Sequence, residues 1–193
     1  MNAAVAQPLS RPGNVASLLS AHAARLPRVP ALVVAKTGEE LSFEGLERRS
    51  ACIAGGLLRA GLSPGERVLM MVKPGPDFLA ASFGVLRAGL VPVFIDPGLA
   101  KRHMLGCIRD AAPAAMIAIR PVMLARPLLR RTFASLRLAI SVGAFPGCRS
   151  LEEIERLGEG AGDVPVEVEP DAPALIAFTS GSTGAPKGVV FSH

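Results

Sequence analysis

The sequence has few of the residues that mark several common classes of protein. It contains no tryptophan or tyrosine, so eight phenylalanines supply all of its Phe, Tyr and Trp content in 193 residues. A hydrophobic core must therefore consist mainly of alanine, valine, leucine and isoleucine. The cysteines Cys52, Cys107 and Cys148 are odd in number and widely spaced, which argues against a disulfide framework or a zinc site. We therefore expect a reducing, cytoplasmic location.

Long apolar runs and a secretory leader are also missing. No run approaches the ~18 apolar residues that a transmembrane helix needs. Residues 1–8 lack a basic region followed by a long apolar one, so we predict neither a signal peptide nor a membrane span.

The net charge is +5, from 17 arginines and 4 lysines against 16 acidic residues. The chain has no aromatic interleaving and no known nucleic-acid motif, so we predict no nucleic-acid partner. One modest basic cluster is interpreted as a solvated helix face. It consists of Arg126, Arg130, Arg131 and Arg137.

Apolar runs alternate with amphipathic segments through most of the chain. Continuous runs, as opposed to alternating ones, indicate strands covered on both faces, as in a parallel sheet. Strands are predicted at 67–72, 90–95, 115–119 and 136–141, and helices at 14–26, 44–60, 76–89, 99–111 and 121–131. Asn14 is predicted to cap the first helix. The pattern weakens after Val142. We predict an α/β fold, a layered and mostly parallel sheet with flanking helices.

Composition divides the chain into four parts. We predict a flexible tail at 1–13, an α/β N-terminal subdomain at 14–157, a linker at 158–173, and a phosphate-binding loop at 174–193 that opens a next subdomain. The linker is assigned from its abundant glycine, proline and acidic residues.

The most informative stretch is 175–193, where an apolar run leads into a loop rich in glycine and hydroxyl groups. Gly181 and Gly184 allow backbone conformations in which amides turn toward an anion. Ser180, Ser182 and Thr183 add hydroxyl donors. We predict that this loop binds phosphate groups.

Lys187 adds a cation to the loop, but the spacing differs from a Walker A motif. In a Walker A motif, the lysine follows glycine and precedes serine or threonine. Lys187 follows Pro186 and precedes Gly188. A Walker-type NTPase is therefore disfavoured, and a flexible hairpin without a ligand remains the simpler alternative.

The string Thr-Ser-Gly-Ser-Thr-Gly-x-Pro-Lys-Gly at 179–188 resembles the signature loop of adenylate-forming enzymes, the AMP-binding superfamily. The segments 61–68 and 88–93 resemble its N-terminal subdomain. The run 76–98, which ends in Asp96-Pro97-Gly98, is similar to fatty acyl-CoA ligase-like proteins, including the β-lactone synthetases of olefin biosynthesis.

The resemblance implies ATP and Mg²⁺ as cofactors, a carboxylic (fatty) acid as substrate, and coenzyme A as a candidate second substrate. It implies that Lys187 is catalytic and that Thr179 faces the metal. It also implies that the nucleotide phosphates are bound by Thr179, Ser180, Gly181, Ser182, Thr183, Gly184 and Lys187.

Motifs that such enzymes carry further along the chain, for adenine, ribose and the acyl group, are not found in these residues. We therefore expect the N-terminal part of an acyl-adenylating ligase, inactive on its own. The alternatives are a β-lactone synthetase acting on β-hydroxy fatty acids and a non-catalytic nucleotide-binding module. Asp96 and Asp110 are attributed to local structure rather than to metal binding. No acidic residue lies near His193 in the sequence, so we do not predict a catalytic role for this histidine.

Overall fold

The computed structural model describes residues 13–162, 165–179 and 186–193. Its helices and strands alternate along the chain. The helices are α1 Ser17–Arg25, α2 Phe43–Arg59, α3 Pro76–Arg87, α4 Lys101–Ala111, α5 Arg120–Ala125, continued by a 3₁₀ helix at Arg126–Leu129, and α6 Leu151–Gly158. The strands are β1 Pro30–Val33, β2 Glu40–Ser42, β3 Arg67–Met71, β4 Val91–Ile95, β5 Ala115–Ala118, β6 Leu138–Ser141, β7 Arg149–Ser150, β8 Pro173–Thr179 and β9 Lys187–Ser192.

Seven of these strands form one sheet, in the order β7-β6-β5-β3-β4-β8-β9. All neighbouring pairs are parallel except β8 and β9, which are antiparallel. Strands β1 and β2 form a separate antiparallel pair. The predicted α/β class, with a mostly parallel sheet and flanking helices, is confirmed.

Helices cover both faces of the sheet, and β3 shows why its residues 68–71 are all apolar. Val68 and Met70 belong to a core cluster with residues of α2, α3 and α6, whereas Leu69 belongs to a second cluster with residues of α4 and α5. Successive side chains of a strand point to opposite faces, so both sets must be apolar when both faces are covered.

The helices on one face of the sheet, α2, α3 and α6, are tightly packed and are joined by ion pairs. A Cβ on Gly158 would lie 1.7 Å from the carbonyl oxygen of Cys52, and one on Gly56 would lie 2.0 Å from that of Ile154, so the close approach of α2 and α6 requires glycine at both positions. Arg49 of α2 bonds to Asp77 of α3 at 2.8 Å and to Glu155 of α6 at 2.6 Å. Burial lowers the pKa of Arg49, but the bonds to the two carboxylates outweigh this, and its pKa is raised overall.

Helix α6 was not predicted from the sequence, although a signal for it is present. The Ser150 hydroxyl accepts from the Glu153 amide, and the Glu153 carboxylate accepts from the Ser150 amide. This reciprocal arrangement is the capping box, recognisable as Ser-x-x-Glu before an apolar run. The side chains of Leu151 and Ile154 are buried and pack α6 against α2.

Asn14, predicted to cap the first helix, caps the turn that leads into it. Helix α1 begins at Ser17, and the Asn14 Oδ1 accepts from the amide of Ala16 at 3.0 Å. The Asn14 amide group also donates to the carbonyls of Leu86 and Val166, each at 2.9 Å. This satisfies two backbone acceptors that the packing removes from water, and it ties residue 166 of the predicted linker to the end of α3.

Residues 174–193, assigned from the sequence to a following subdomain, contribute β8 and β9 to the same sheet as the rest of the chain. No helix in the described part of the chain has the length and apolar character required to cross a membrane.

Candidate active site

A hairpin formed by β8 and β9 holds the ends of the predicted phosphate-binding loop. Strand β8 ends at Thr179 and β9 begins at Lys187, and these two residues are direct partners in the antiparallel register. Both side chains are exposed. The intervening Ser180, Gly181, Ser182, Thr183 and Gly184, predicted to bind phosphate, lie outside the described residues. The structure thus brings together the two ends of the predicted site, Thr179 and Lys187.

The hairpin end lies beside the carboxyl end of β4. Ile95 is paired with Phe178, and the amide of Asp96 donates to the carbonyl of Phe178 at 3.3 Å. Helix α3, which connects β3 to β4, packs on one face of the sheet, while α4, which connects β4 to β5, packs on the other. Open α/β sheets bind ligands at the carboxyl ends of their strands, next to such a change of face.

Gly188 has a packing role at this site that the sequence-based site prediction did not include. It is paired with Phe178, and a Cβ at position 188 would lie 2.9 Å from Cζ of the Phe178 ring. Phe178 itself is buried and belongs to the second core cluster. Because residue 188 is glycine, the beginning of β9 can pack directly against the buried Phe178 ring.

The electrostatic character of the hairpin favours an anion. The sequence from 175 to 193 contains no aspartate or glutamate, and Lys187 is its cation. Hydroxyl groups and a lysine are the donors that phosphate groups accept from. Chemically, the arrangement can bind phosphate oxygens and stabilise negative charge that develops on them.

Asp96, attributed from the sequence to local structure rather than to metal binding, has such a local role. The Asp96 carboxylate accepts from the amide of Gly98 at 2.8 Å, which closes the predicted turn. Within the described ranges, no three His, Cys, Asp or Glu side chains cluster in a way that could bind a metal ion. Magnesium commonly binds through substrate phosphates and only a few protein oxygens. That Thr179 faces the metal stays a prediction.

His193 connects β9 to the start of the described chain. Its Nδ1 accepts from the amide of Val15 at 3.1 Å, and its own amide donates to the carbonyl of Ala172 at 3.2 Å. Burial lowers the pKa of His193, which favours the neutral ring that can accept this bond. These contacts give the residue a structural role.

Comparison with known proteins places these features in a family. Residues 19–193 match the model of the family described as AMP-binding enzyme. The chain is 42% identical over 154 residues to an olefin β-lactone synthetase of Xanthomonas campestris pv. campestris, and 38% identical over 155 residues to one of Stenotrophomonas maltophilia. Each alignment covers 79% of this chain and 28% of the relative, so the chain spans less than a third of their length.

Solved structures show the same fold. The apo structure of MbtA from Mycobacterium smegmatis is 30% identical, with a TM-score of 0.81 over 95% of this chain and 34% of MbtA. The anthranilate CoA ligase AuaEII in complex with anthranoyl-AMP has a TM-score of 0.83 at 19% identity, over 96% of this chain and 35% of AuaEII. The family match, the relatives and the fold agree, and the chain belongs to the AMP-binding enzyme family.

Proposed function

We propose that the protein carrying this chain is an ATP-dependent ligase that activates a carboxylic acid as an acyl-adenylate. The observation that supports this most directly is the register of the β8–β9 hairpin. It pairs Thr179 with Lys187 at the carboxyl edge of the sheet, on the hairpin whose strand β8 lies next to β4.

In this proposal the loop binds the ATP phosphates through Thr179, Ser180, Gly181, Ser182, Thr183 and Gly184. A carboxylate oxygen attacks the α-phosphorus, the bond from that phosphorus to the oxygen bridging the β-phosphate breaks, and pyrophosphate leaves with the bonding pair. Lys187 stabilises the negative charge that grows on the leaving pyrophosphate. The Thr179 hydroxyl is proposed as an oxygen ligand for the magnesium that accompanies the nucleotide.

The test is carboxylate-dependent exchange of labelled pyrophosphate into ATP, measured on the full-length protein with long-chain fatty acids. Lys187→Ala should lower the exchange rate on the order of 100-fold or more, as removal of a transition-state charge partner does. Lys36→Ala is the matched control, because Lys36 is an exposed lysine in the turn after β1. Absence of exchange with every acid tested would contradict the proposed activity.

A second candidate concerns the acceptor of the acyl group. The β-lactone synthetases are 42% and 38% identical to this chain, whereas a 4-coumarate–CoA ligase of rice is 30% identical over 167 residues. This favours β-hydroxy fatty acids as substrates. In that case the β-hydroxyl oxygen attacks the acyl carbon, the bond from that carbon to the AMP oxygen breaks, and the hydroxyl proton passes to solvent.

The two acceptors are distinguished by the product. A β-hydroxy acid that loses one water in an ATP-dependent reaction without coenzyme A, as detected by mass spectrometry, indicates ring closure. A product formed only with coenzyme A, and heavier by the thioester adduct, indicates a CoA ligase.

For residues 1–193 alone we propose phosphate or nucleotide binding without adenylation, since the motifs expected for the adenine, ribose and acyl groups are not in this sequence. Pyrophosphate exchange by this polypeptide alone would contradict that. We further propose a cytoplasmic location, with which three free cysteines agree.

A further inference from the structure

The α5 helix and the 3₁₀ helix after it expose leucine side chains beside arginines on the face of the sheet covered by α4 and α5. Leu124 is 60% exposed and Leu128 is 88% exposed, one helical turn apart. Single exposed leucines are common, but a pair at this spacing forms an apolar ridge. We call the group the arginine–leucine patch. Its members are Arg120, Leu124, Arg126, Leu128, Arg130 and Arg131.

The charge around this patch has one sign. Residues 111–151 include six arginines and no aspartate or glutamate. Within the described ranges, Arg137 pairs with Glu66, but none of the four arginines of the patch forms an ion pair. The patch therefore presents uncompensated positive charge at its surface.

Apolar surface continues beneath the leucines. A cavity of about 590 Å³ has Leu128 in its wall, together with side chains of α4 and the second core cluster. These include Met104, Leu105, Val122, Leu129 and Phe133, and Lys101 also lines it. A neighbouring cavity of about 250 Å³ is lined by Arg126 and Arg130 next to Phe133. Cationic and apolar groups thus line two cavities that share Phe133.

We propose that the arginine–leucine patch docks the protein on an anionic phospholipid membrane. Leu124 and Leu128 enter the boundary between headgroups and acyl chains, and the arginines contact lipid phosphates. Interfacial binding of this kind needs buried apolar area and basic residues together, and this patch supplies both. A nucleic acid would use the arginines but would leave the leucine ridge in water. The proposal does not depend on the proposed adenylation activity.

The test is co-sedimentation of the purified protein with vesicles of pure phosphatidylcholine or of equal parts phosphatidylcholine and phosphatidylglycerol. We expect binding to the anionic vesicles only, and weaker binding as salt rises. An arginine near an anionic membrane surface contributes about fivefold in partitioning, so Arg130→Gln with Arg131→Gln should weaken binding about 25-fold. The matched control is Arg25→Gln with Arg28→Gln, which removes two exposed arginines, one at the end of α1 and one in the turn between α1 and β1.

The leucines are tested separately. Leu128→Ser should weaken binding roughly tenfold at low and at high salt, since it removes apolar area rather than charge. Val33→Ser is the control, because Val33 is 52% exposed on another part of the surface.

Several outcomes would overturn the proposal: equal binding to neutral vesicles, no binding to either, or equal losses in the patch and control variants. Full binding by Leu128→Ser, with displacement by RNA, would instead identify a polyanion-binding face.

Discussion

Phe178 and Gly188 face each other across the β8–β9 hairpin, and the phenylalanine ring occupies the space that a side chain at position 188 would need. A Cβ there would lie 2.9 Å from Cζ and 3.0 Å from Cε1 of the ring. Phe178 is only 7% exposed and is held by the core, so it cannot easily move away. The packing of one aromatic residue therefore restricts position 188 to glycine, directly after Lys187.

Gly188→Ala should consequently destabilise the protein by about 1–3 kcal/mol, the usual cost of overpacking. The free energy of unfolding in urea measures this. Gly106→Ala is a matched control in α4, where a Cβ meets nothing within 4 Å. It should stabilise by up to about 1 kcal/mol, because alanine is the better helix former. Equal effects of both substitutions would refute the packing role of Gly188.

A rescue experiment tests the same contact from the other side. Phe178→Leu gives position 188 more room, so the additional cost of Gly188→Ala should be smaller in that background. Residues in contact couple in this way, whereas independent ones are additive. Strict additivity of the two substitutions would contradict a direct contact.

The Arg87–Glu47 ion pair between α3 and α2 is a second test of the packing. Arg87 is 2% exposed, and its guanidinium also donates to the Ser20 hydroxyl at 3.0 Å. Arg87→Met should cost about 3 kcal/mol in unfolding free energy, because the Glu47 carboxylate loses its counter-ion in a largely buried place. Adding Glu47→Gln should recover part of this loss by removing the charge.

Arg48→Met is the control for this experiment, since Arg48 is an exposed arginine on α2, next to Glu47 in the sequence. It should change the unfolding free energy by less than about 1 kcal/mol. A similar loss in both arginine variants would mean that the buried pair contributes nothing of its own.

His193 predicts a pH dependence of stability. Its pKa is lowered by burial, and its Nδ1 accepts from Val15 only when unprotonated. The unfolded chain therefore binds this proton more readily than the native one. The stabilising contribution is full above the usual histidine pKa of about 6.5 and is lost as the pH falls through and below that value.

Unfolding free energies between neutral and mildly acidic pH measure this effect. His193→Gln can still accept a hydrogen bond but does not titrate, so its stability should fall less steeply with acidification. Parallel curves for the variant and the wild type would show that His193 does not contribute.

Cys107 should resist alkylation in the native protein. It is 2% exposed, and burial, with a smaller effect of Asp110, raises the pKa of its thiol. Cys148 is partly exposed and serves as the internal comparison. Brief iodoacetamide treatment followed by peptide mass spectrometry should label Cys148 well before Cys107, and urea should abolish the difference. Equally rapid labelling of both would contradict the burial of Cys107.

Local patterns in the sequence predicted many individual elements well. The strand expected at 67–72 is β3 Arg67–Met71, and the helix expected at 76–89 is α3 Pro76–Arg87. These elements are long or continuously apolar, and turns with glycine or proline bound them. Helix α6 was missed because it is short and its signal is a cap rather than a long amphipathic repeat.

Asn14 shows what local patterns leave out. An asparagine before an apolar repeat predicts a cap, and its Oδ1 does accept from the amide of Ala16 in the turn before α1. Its amide group also donates to carbonyls at positions 86 and 166, and no local pattern predicts contacts over that distance in sequence.

By itself, the sequence determined the α/β class, the family and the identity of the signature loop, since each depends on residues that are close together in the chain. Only the tertiary structure decided that β8 returns across the sheet to pair with β4, that Thr179 stands opposite Lys187, and that Phe178 restricts position 188. Strand order and register join residues that are far apart in sequence. They are selected by the burial of two apolar faces at once, and no local pattern encodes that condition.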